Sequence, residues 1–262
     1  LFFSGKTIIY AAFWTIVVTV IVAQTRKTTR MNLKDLVQAL EDGARSALGV
    51  AITCAAVGII VGVATLTGFG LKLANGIILI GGESLFLTLV FTMLASIILG
   101  MGLPSIPTYI ITSTMAAPAL VQLEVPAFVA HMFVFYFGLF ANLTPPVALA
   151  SFAAAGLSGG NPMKTGFISM RLAIAGFIVP FAFVYNTSLL MIDTTFVEGI
   201  IVVLTSVVSV ILLGITAEGF LFTNVPILLR AILLGGAILL ISPIKLLYII
   251  GLVIAAIIFI IQ

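Results

Sequence analysis

Charged side chains are scarce in this sequence. Of its 262 residues only 7% are Asp, Glu, Lys or Arg, and 62% are hydrophobic, whereas a soluble domain carries about a quarter charged residues. This shortage excludes an ordinary soluble fold and predicts an all-α integral membrane protein that is surrounded by the lipid bilayer. The formal net charge of +3 is small and scattered along the chain, so we expect no nucleic-acid partner.

Side chains suited to catalysis are also few. The chain has one cysteine, Cys54, and one histidine, His131, so it can form neither an intrachain disulfide nor a cysteine metal cluster. An intramembrane protease would need a serine with a histidine base, paired aspartates or a zinc motif. None of these can be assembled from one histidine and no aspartate inside a predicted span. We therefore expect a protein that is not an enzyme and that carries no cofactor.

The N-terminal part, residues 1–46, holds a predicted span and a polar segment. About 20 apolar residues are needed to cross a bilayer, and the first such run is 7–23. Apolar residues at helical spacing over 33–40 predict an amphipathic helix at the membrane interface. Between and around these elements lie five basic residues, which predict a cytoplasmic loop: Arg26, Lys27, Arg30, Lys34 and Arg45.

The other apolar runs fall into two groups. Residues 47–187 are predicted to form a core, with a span at 47–64, a hairpin at 84–123, an interrupted helix at 127–156 and a span at 165–185. Gly58 and Gly62 in the first of these spans favour close helix packing. Residues 188–262 are predicted to add an extension of three membrane helices, at 196–214, 227–241 and 244–261.

The hairpin is predicted from a break in an apolar run, "SIILGMGLPSIPTYIIT". Gly100 and Gly102 can take the positive φ that ends a helix, and Pro104 disfavours helical geometry in the residue before it. Ser105 is predicted to cap the next helix. Two full spans would satisfy the topology as well, but the turn is uncharged. We therefore predict a re-entrant hairpin whose tip, residues 100–105, is buried.

A second break, "ANLTPP", has the same order of features: a helix end, a short irregular link and a helix start. Asn142 is predicted to close one helix in the left-handed conformation, Thr144 to cap the next, and Pro145 and Pro146 to occupy its first two positions. One such break would be explained as a proline kink. Two breaks with matching caps favour a binding site, because irregular backbone in a membrane is tolerated only where it is buried in protein or lines a water-filled cavity.

The two breaks together predict a binding site. Helix N-termini suit a carboxylate, and the free carbonyl groups of the preceding helices suit Na⁺. Backbone ligation of Na⁺ is expected at Gly100, Gly102, Asn142 and Thr144. The complete predicted set is Gly100, Met101, Gly102, Pro104, Ser105, Thr108, Thr112, Asn142, Thr144 and Pro145.

Four polar side chains near the breaks have two interpretations each. Thr108 and Thr112 share a helix face with Ser105 and could extend a polar lining, or their hydroxyls could bond back to the carbonyl four residues earlier. His131 could relay protons, although a hydrogen-bonded packing role is favoured. Arg171 could reach a substrate carboxylate, although a position at the cytoplasmic face is favoured.

Three stretches carry a resemblance to a known family. "GMGLPSIPTYIITSTMAAPAL", "HMFVFYFGLFANLTPPVALASFAAAGLSGGNPMKTG" and "IVPFAFVYN" resemble the large membrane subunit of tripartite ATP-independent periplasmic (TRAP) transporters. The likeness is greatest to the fused permeases that pair with a TAXI-type binding protein, and it covers roughly residues 30–187. "EGFLFTNVPILLRAILLGGAILLISP" resembles the membrane extension found on those fused proteins.

The resemblance implies an elevator-type secondary transporter of the bacterial or archaeal cytoplasmic membrane. It would import an organic acid by Na⁺ symport and would receive its substrate from a periplasmic TAXI-type binding protein. Such permeases contain two inverted repeats, each with a hairpin and a broken helix, but this chain has one such pair. We therefore expect the chain to be the C-terminal portion of a longer permease, with the upstream half as its partner.

Two alternatives remain open at this stage. One is an ion-coupled carboxylate or cation symporter or antiporter of another elevator family, which would work without a binding protein. The other is a purely structural membrane subunit, which predicts neither a buried link nor a polar lining at the breaks.

Overall fold

The computed structural model describes residues 7–26, 29–82, 84–192, 194–242 and 244–261, and almost all regular structure in these ranges is helical. One isolated antiparallel bridge joins Phe220 and Asn224. The predicted all-α fold is therefore confirmed. The chain divides into two compact units, Leu1–Ile52 and Thr53–Gln262.

The first unit contains helix α1, Ile8–Ala23, and the beginning of α2, Leu33–Leu66. Asp35 in the first turn of α2 accepts a hydrogen bond from the backbone N–H of Asn32 at 2.7 Å, which satisfies a donor at the helix N-terminus. The sequence predicted an amphipathic helix and a separate span here. The structure forms one continuous helix instead, because no proline or left-handed glycine interrupts the segment. Of the predicted basic residues, Lys27 lies outside the described residues.

The second unit begins with the remainder of α2 and continues into a helical hairpin. Its helices are α3, Phe69–Gly81, α4, Leu85–Gly100, α5, Ser105–Met115, and α6, Ala117–Gln122. Leu89 near the start of α4 lies in the same buried cluster as Leu120 of α6, so the second limb returns along the first. At about 1.5 Å per residue α4 is about 24 Å long, shorter than the roughly 30 Å hydrocarbon layer. This length favours a re-entrant hairpin over two full spans.

The second limb of the hairpin is kinked, although the sequence predicted one helix there. α5 ends at Met115, Ala116 separates the two helices, and Pro118 lies at the start of α6. Because proline has no N–H to donate and its ring crowds the preceding turn, the helix cannot continue unbroken through this point.

The predicted interruption of the next helix is present. It separates α7, Ala127–Phe140, from α8, Leu149–Ser158. The chain then returns through α9, Pro162–Leu172, and α10, Ile174–Tyr185. The span predicted over 165–185 is formed by two helices, α9 and α10, which meet at a bend of 44° and together are long and apolar enough to cross a bilayer.

The two helices of the bent pair, α9 and α10, make different contacts. A Cβ atom on Gly176 of α10 would overlap the ring of Phe140 of α7, so α10 packs directly on α7. Arg171 of α9 instead donates to the backbone at Ala217. Helix α9 is thus tied to the end of α11, whereas α10 packs on α7 as well as on α11.

The C-terminal extension follows a short 3-10 helix, Thr187–Leu190. It consists of α11, Phe196–Glu218, α12, Ile227–Ile241, and α13, Lys245–Ile261. A capping box of Thr195 and Glu198 begins α11. The hydroxyl of Ser209 on α11 donates to the Ala237 carbonyl on α12 at 2.7 Å, which fixes the pairing of these two helices.

Helix α7 lies at the centre of the second unit. Phe133 and Phe137 on α7 are fully buried and pack edge to face on Phe181 of α10. The hairpin packs on another side of α7, so this helix joins the two parts of the core. By contrast, a Cβ atom on Gly58 or Gly62 of α2 would meet no atom within 4 Å among the described residues. Their predicted role in close packing is therefore wrong within this unit.

Two described helices, α2 and α11, are long and apolar enough to cross a bilayer as they stand. The bent pair α9 and α10 passes the same test together. Several other described helices are apolar but shorter, including both parts of the interrupted helix and α4 of the hairpin. Such short apolar helices are expected where segments enter the membrane without crossing it.

Candidate functional site

The tip of the hairpin is a short irregular turn between α4 and α5. Gly102 has φ +76°, a conformation that glycine takes without the steric cost other residues meet. The predicted cap is wrong: Pro104 occupies the N-cap position and Ser105 is the first helical residue, with no side-chain cap bond. The tip is closed instead by the backbone N–H of Leu103, which donates to the Gly100 carbonyl at 3.3 Å.

Thr108 ties the start of α5 to the tip. Its hydroxyl donates to the Pro104 carbonyl at 2.9 Å and lies 3.2 Å from the Leu103 carbonyl. The hydroxyl of Thr112 donates to the Thr108 carbonyl at 2.9 Å, and both side chains are fully buried. The structure therefore forms the back-bonded alternative for these two threonines, rather than an open polar lining.

Some backbone groups of the tip have no partner among the described residues. The carbonyl oxygens of Met101 and Gly102 accept no hydrogen bond from them, and the N–H groups of Ser105 and Ile106 donate none. Gly102 and Ser105 are exposed. The tip thus presents two carbonyl acceptors and a helix N-terminus without partners among the described residues. Of the two tip carbonyls expected from the sequence, that of Gly102 is one of these acceptors, whereas that of Gly100 already accepts the Leu103 N–H.

The link between α7 and α8 differs from its prediction. Ala141 follows α7 in right-handed geometry, and Asn142 is not left-handed. The left-handed residue is Ala148, with φ +35°. Thr144 does not cap α8, since its hydroxyl donates back to the Phe140 carbonyl at 2.8 Å. The peptide bond between Pro145 and Pro146 is cis.

The two prolines therefore lie in the link and not in the first turn of α8, which begins at Leu149. The link is closed by bonds to the start of α8. The N–H of Ala150 donates to the Asn142 carbonyl at 3.0 Å, and the N–H of Ala148 donates to the Thr144 carbonyl at 3.2 Å. The carbonyl oxygens of residues 145–147 accept no hydrogen bond from the described residues. The acceptors available for a cation are thus displaced from the predicted Asn142 and Thr144 toward the prolines.

The tip and the link are neighbours. A Cβ atom on Gly102 would lie 3.7 Å from Cγ1 of Val147, so the hairpin turn reaches the irregular link. The link is supported from its other side by α9, where a Cβ atom on Gly166 would lie 2.9 Å from Cγ of Pro145. The structure therefore brings together the two breaks that the sequence singled out.

A close crossing of three helices holds this arrangement. A Cβ atom on Gly100 would lie 2.6 Å from the carbonyl oxygen of Gly138 on α7 and 3.0 Å from Cγ2 of Thr108 on α5. Because neither glycine has a side chain, the end of α4 can approach the α7 backbone directly beside the link. Sequence reasoning did not single out Gly138, although a glycine between the aromatic residues of "YFGLF" is a signal for such an approach.

The comparison with protein families decides the identity. The family described as the tripartite ATP-independent periplasmic transporter, DctM component, matches residues 2–200. The chain belongs to this family. Searches of curated proteins and of solved structures give no match.

Membership confirms several expectations. The DctM component is a multi-pass permease component of the inner membrane, it is not an enzyme, and it receives substrate from a periplasmic binding protein. The match includes the hairpin and the broken helix and ends near the start of α11. Helices α12 and α13 therefore lie beyond the matched region.

Two other polar residues of the DctM component are committed to helix packing. The phenol oxygen of Tyr109 on the hairpin lies 2.9 Å from Nδ1 of His131 on α7, in agreement with the favoured interpretation of the histidine. The guanidinium of Arg171 binds the C-terminal end of α11, donating to the Ala217 carbonyl at 3.1 Å and to the Glu218 carboxylate at 3.3 Å. Arg171 therefore caps a neighbouring helix.

The hairpin of the DctM component also buries hydroxyls that the sequence analysis missed. Thr88, Thr92 and Ser96 lie along one face of α4, and all three are fully buried. Ser96 donates to the Thr92 carbonyl at 2.7 Å, whereas the hydroxyls of Thr88 and Thr92 have no hydrogen-bond partner among the described residues. The spacing of four residues was the available signal for a shared face.

Proposed function

We propose that this DctM component imports an organic acid together with Na⁺, and that its tip and link form one half of the site for both. The observation that carries the proposal is the meeting of two irregular breaks, supported by the 3.7 Å approach of a Cβ on Gly102 to Val147. Broken helices at one point in a membrane protein are how secondary transporters build substrate and ion sites.

The backbone chemistry supports two ligands of opposite charge. Na⁺ is a hard cation that binds oxygen atoms, and carbonyl oxygens at residues 101, 102 and 145–147 have no partner among the described residues. The N-terminus of α5 carries a partial positive charge and amide groups without described partners, which suits a carboxylate. The proposed Na⁺ ligands are therefore Met101 and Gly102 with the link carbonyls, next to the predicted Gly100, Asn142 and Thr144.

The proposed partners follow from the family and from the single repeat. The binding protein that delivers the substrate is proposed to be of the TAXI type, as the sequence resemblance implies. Among the described residues one hairpin tip meets one irregular link, so the other half of the site is proposed to come from an upstream half of the same permease. A carrier that works without a binding protein is the alternative, and the family match speaks against it.

The proposal is tested with two glycines that have the same backbone conformation. Gly102 in the tip has φ +76°, and Gly159 in the turn after α8 has φ +69° with no atom within 4 Å of an added Cβ. Alanine at either position has a similar conformational cost, on the order of 1 kcal/mol. Any loss of Na⁺ binding or uptake in Gly102→Ala beyond that in Gly159→Ala therefore reports on the tip itself.

The measurements are binding of radiolabelled Na⁺ by the intact permease and Na⁺-driven uptake of radiolabelled organic acids into proteoliposomes. We expect Gly102→Ala to reduce both Na⁺ binding and uptake roughly tenfold or more. A tenfold loss corresponds to about 1.4 kcal/mol of binding free energy, lost because the ligand geometry is distorted. Gly159→Ala should retain both. Equal behaviour of the two variants would refute the proposed site.

A further inference from the structure

Lys72 on α3 is a charged residue within an apolar helix, and the proposed function gives it no role. It is the one charged residue in the sequence between Arg45 and Glu83, and it lies in the helix "FGLKLANGIILIG". Neither the tip nor the link contains a charged side chain. Ionisable residues inside a membrane are costly, and they generally face protein or water and pair with another group. Lys72 therefore requires a partner.

The contacts of α3 with the hairpin give the depth of Lys72. A Cβ atom on Gly81 would lie 3.1 Å from the backbone nitrogen of Thr88 on α4, and Ala74 lies in a buried cluster on which Ala95 of α4 packs. Seven residues separate Ala74 from Gly81, and seven separate Thr88 from Ala95, so α3 runs antiparallel beside α4. Lys72 lies nine residues before Gly81, which is about 14 Å along the helix. This is nearly half of the roughly 30 Å hydrocarbon layer.

Lys72 and Asn75 form a polar patch on the exposed face of α3. Ala74 and Ile77 are buried against the hairpin, whereas Lys72 and Asn75 are exposed. Neither polar side chain makes a hydrogen bond or an ion pair with the described residues, whose ion pairs lie elsewhere. A Cβ atom on Gly76 would meet no atom within 4 Å, so the surface beside the patch is open to another helix.

The lipid headgroups are badly placed to pair with Lys72. Side chains in an α-helix point toward its N-terminus, and α3 runs toward the membrane surface at which the hairpin begins. The Lys72 side chain therefore starts out toward the membrane interior, away from the nearer headgroups. Lysines that reach the headgroups by snorkelling lie near the ends of membrane spans.

We propose that Lys72 forms a salt bridge with an Asp or Glu side chain on a transmembrane helix of the upstream half of the permease. That helix packs on the face of α3 that carries Lys72, Asn75 and Gly76. A carboxylate has about four acceptor positions, so it can accept from the Lys72 ammonium and from the Asn75 amide together. The inference rests on the upstream half proposed above, but it does not depend on the Na⁺ site.

Charge complementarity selects this partner over a second copy of the chain. In the sequence the acidic residues lie in the polar segment 24–46 or at the ends of the apolar runs, so a second copy has no carboxylate at the depth of Lys72. Phe69 and Leu79 on either side of the patch are 49% and 81% exposed, which favours a membrane helix over a water-soluble partner. Gly76 allows the backbone of such a helix to approach closely.

Cross-linking of the intact permease with dicyclohexylcarbodiimide identifies the partner. This membrane-soluble reagent activates a carboxyl group, and an adjacent lysine amine then forms an amide as dicyclohexylurea leaves. In detergent and without substrate, we expect mass spectrometry to find Lys72 joined to an Asp or Glu upstream of Leu1. The product should keep the mass of one permease chain on a denaturing gel. No cross-link, or a cross-link that doubles the chain mass, would overturn the proposal.

Lys72→Arg is the control for the cross-link. Arginine retains the positive charge and the ion pair, but its guanidinium does not couple to an activated carboxyl group. This variant should lose the cross-link and melt close to the wild-type temperature. A cross-linked peptide that persists in Lys72→Arg would show that another lysine had reacted, and would overturn the assignment to Lys72.

The sign of the stability change in Lys72→Met separates a carboxylate partner from lipid. If Lys72 is paired, methionine leaves the partner carboxylate alone in the membrane, and the melting temperature of the intact permease should fall by roughly 5 °C or more. If Lys72 faces lipid, removing the charge should raise the melting temperature or leave it unchanged, which would overturn the proposal. Lys164→Met, at an exposed position in the first turn of α9, is the control and should change it little. Both measurements are made without Na⁺ or substrate, so their failure is distinguishable from failure of the proposed function.

Discussion

Gly100 and Gly138 face each other so closely that a Cβ atom on Gly100 would lie 2.6 Å from the Gly138 carbonyl oxygen. This contact joins the end of the first hairpin limb to α7 just before the link. It explains how the tip and the link come to be neighbours, because the two helices can cross with their backbones in contact. The site geometry thus depends on two residues that have no side chain.

The first prediction concerns this crossing. Gly100→Ala should lower the free energy of unfolding by about 1–3 kcal/mol, since overpacking a close contact forces the backbones apart. Gly62→Ala is the control, because an added Cβ there meets no described atom within 4 Å. Thermal unfolding of the chain in detergent gives both values. Similar melting temperatures for the two variants would contradict the crossing.

The second prediction concerns the Thr108 hydroxyl, which binds the tip carbonyls of Leu103 and Pro104. Thr108→Val keeps the shape of the side chain but leaves the Leu103 carbonyl without its hydroxyl donor, while the Pro104 carbonyl keeps the backbone N–H of residue 108 at 3.0 Å. We expect it to weaken Na⁺ binding and to lower stability by about 1–2 kcal/mol. Thr108→Ser should restore both. Thr114→Val is the control on the same helix, since the Thr114 hydroxyl bonds back to the Ile110 and Ile111 carbonyls within α5, and it should be close to neutral.

Much of the fold was accessible from the sequence because the membrane restricts the possibilities. Apolar runs, glycines and prolines predicted the hairpin and the broken helix at the positions where the structure has them. A backbone that must satisfy its hydrogen bonds in lipid is either helical or breaks at a special residue. Gly102 is such a residue and has the positive φ that the sequence predicted. The same prediction for Gly100 is wrong, since Gly100 is the last helical residue of α4.

The details of the breaks were not accessible, because tertiary contacts decide them. Thr144 was predicted to cap α8, but it bonds back to Phe140, and Ala148 takes the left-handed conformation instead. The sequence of one threonine and two prolines is compatible both with a threonine that caps the next helix and with one that bonds back to the preceding helix. Here α9 packs on Pro145, a contact with no local sequence signal. The bend at Ala173 was missed for the same reason.

The third prediction separates two roles of Arg171. If it caps α11, Arg171→Gln should lower the melting temperature while the concentration dependence of uptake stays unchanged. The ion pair with Glu218 is largely exposed, with side chains 55% and 47% exposed, so most of the effect should come from the lost bonds to the α11 carbonyls. Lys164→Gln is the control for surface charge. A selective rise in the substrate KM in Arg171→Gln would instead indicate a substrate contact.

The fourth prediction concerns access to the tip. The chain has a single cysteine, Cys54, so Cys54→Ala provides a background for Met101→Cys. A re-entrant tip should react with a small thiol reagent only through a water-filled path, and Na⁺ should slow the reaction. Ser158→Cys, at an exposed position at the end of α8, should react equally in Na⁺ and choline. Rapid labelling of position 101 from the cytoplasmic side under every condition would indicate two full spans.

The most direct test of the account is hydrogen exchange of the intact permease in Na⁺ and in choline at the same ionic strength. If the tip and the link bind Na⁺ together, the amides of residues 102, 103, 105 and 106 and of residues 147–151 should exchange more slowly in Na⁺. Amides around Gly159, in a turn of similar backbone geometry, should exchange at the same rate in both. Unchanged exchange at the tip and the link, or equal slowing across the whole chain, would contradict the claim that these two breaks form half of the site.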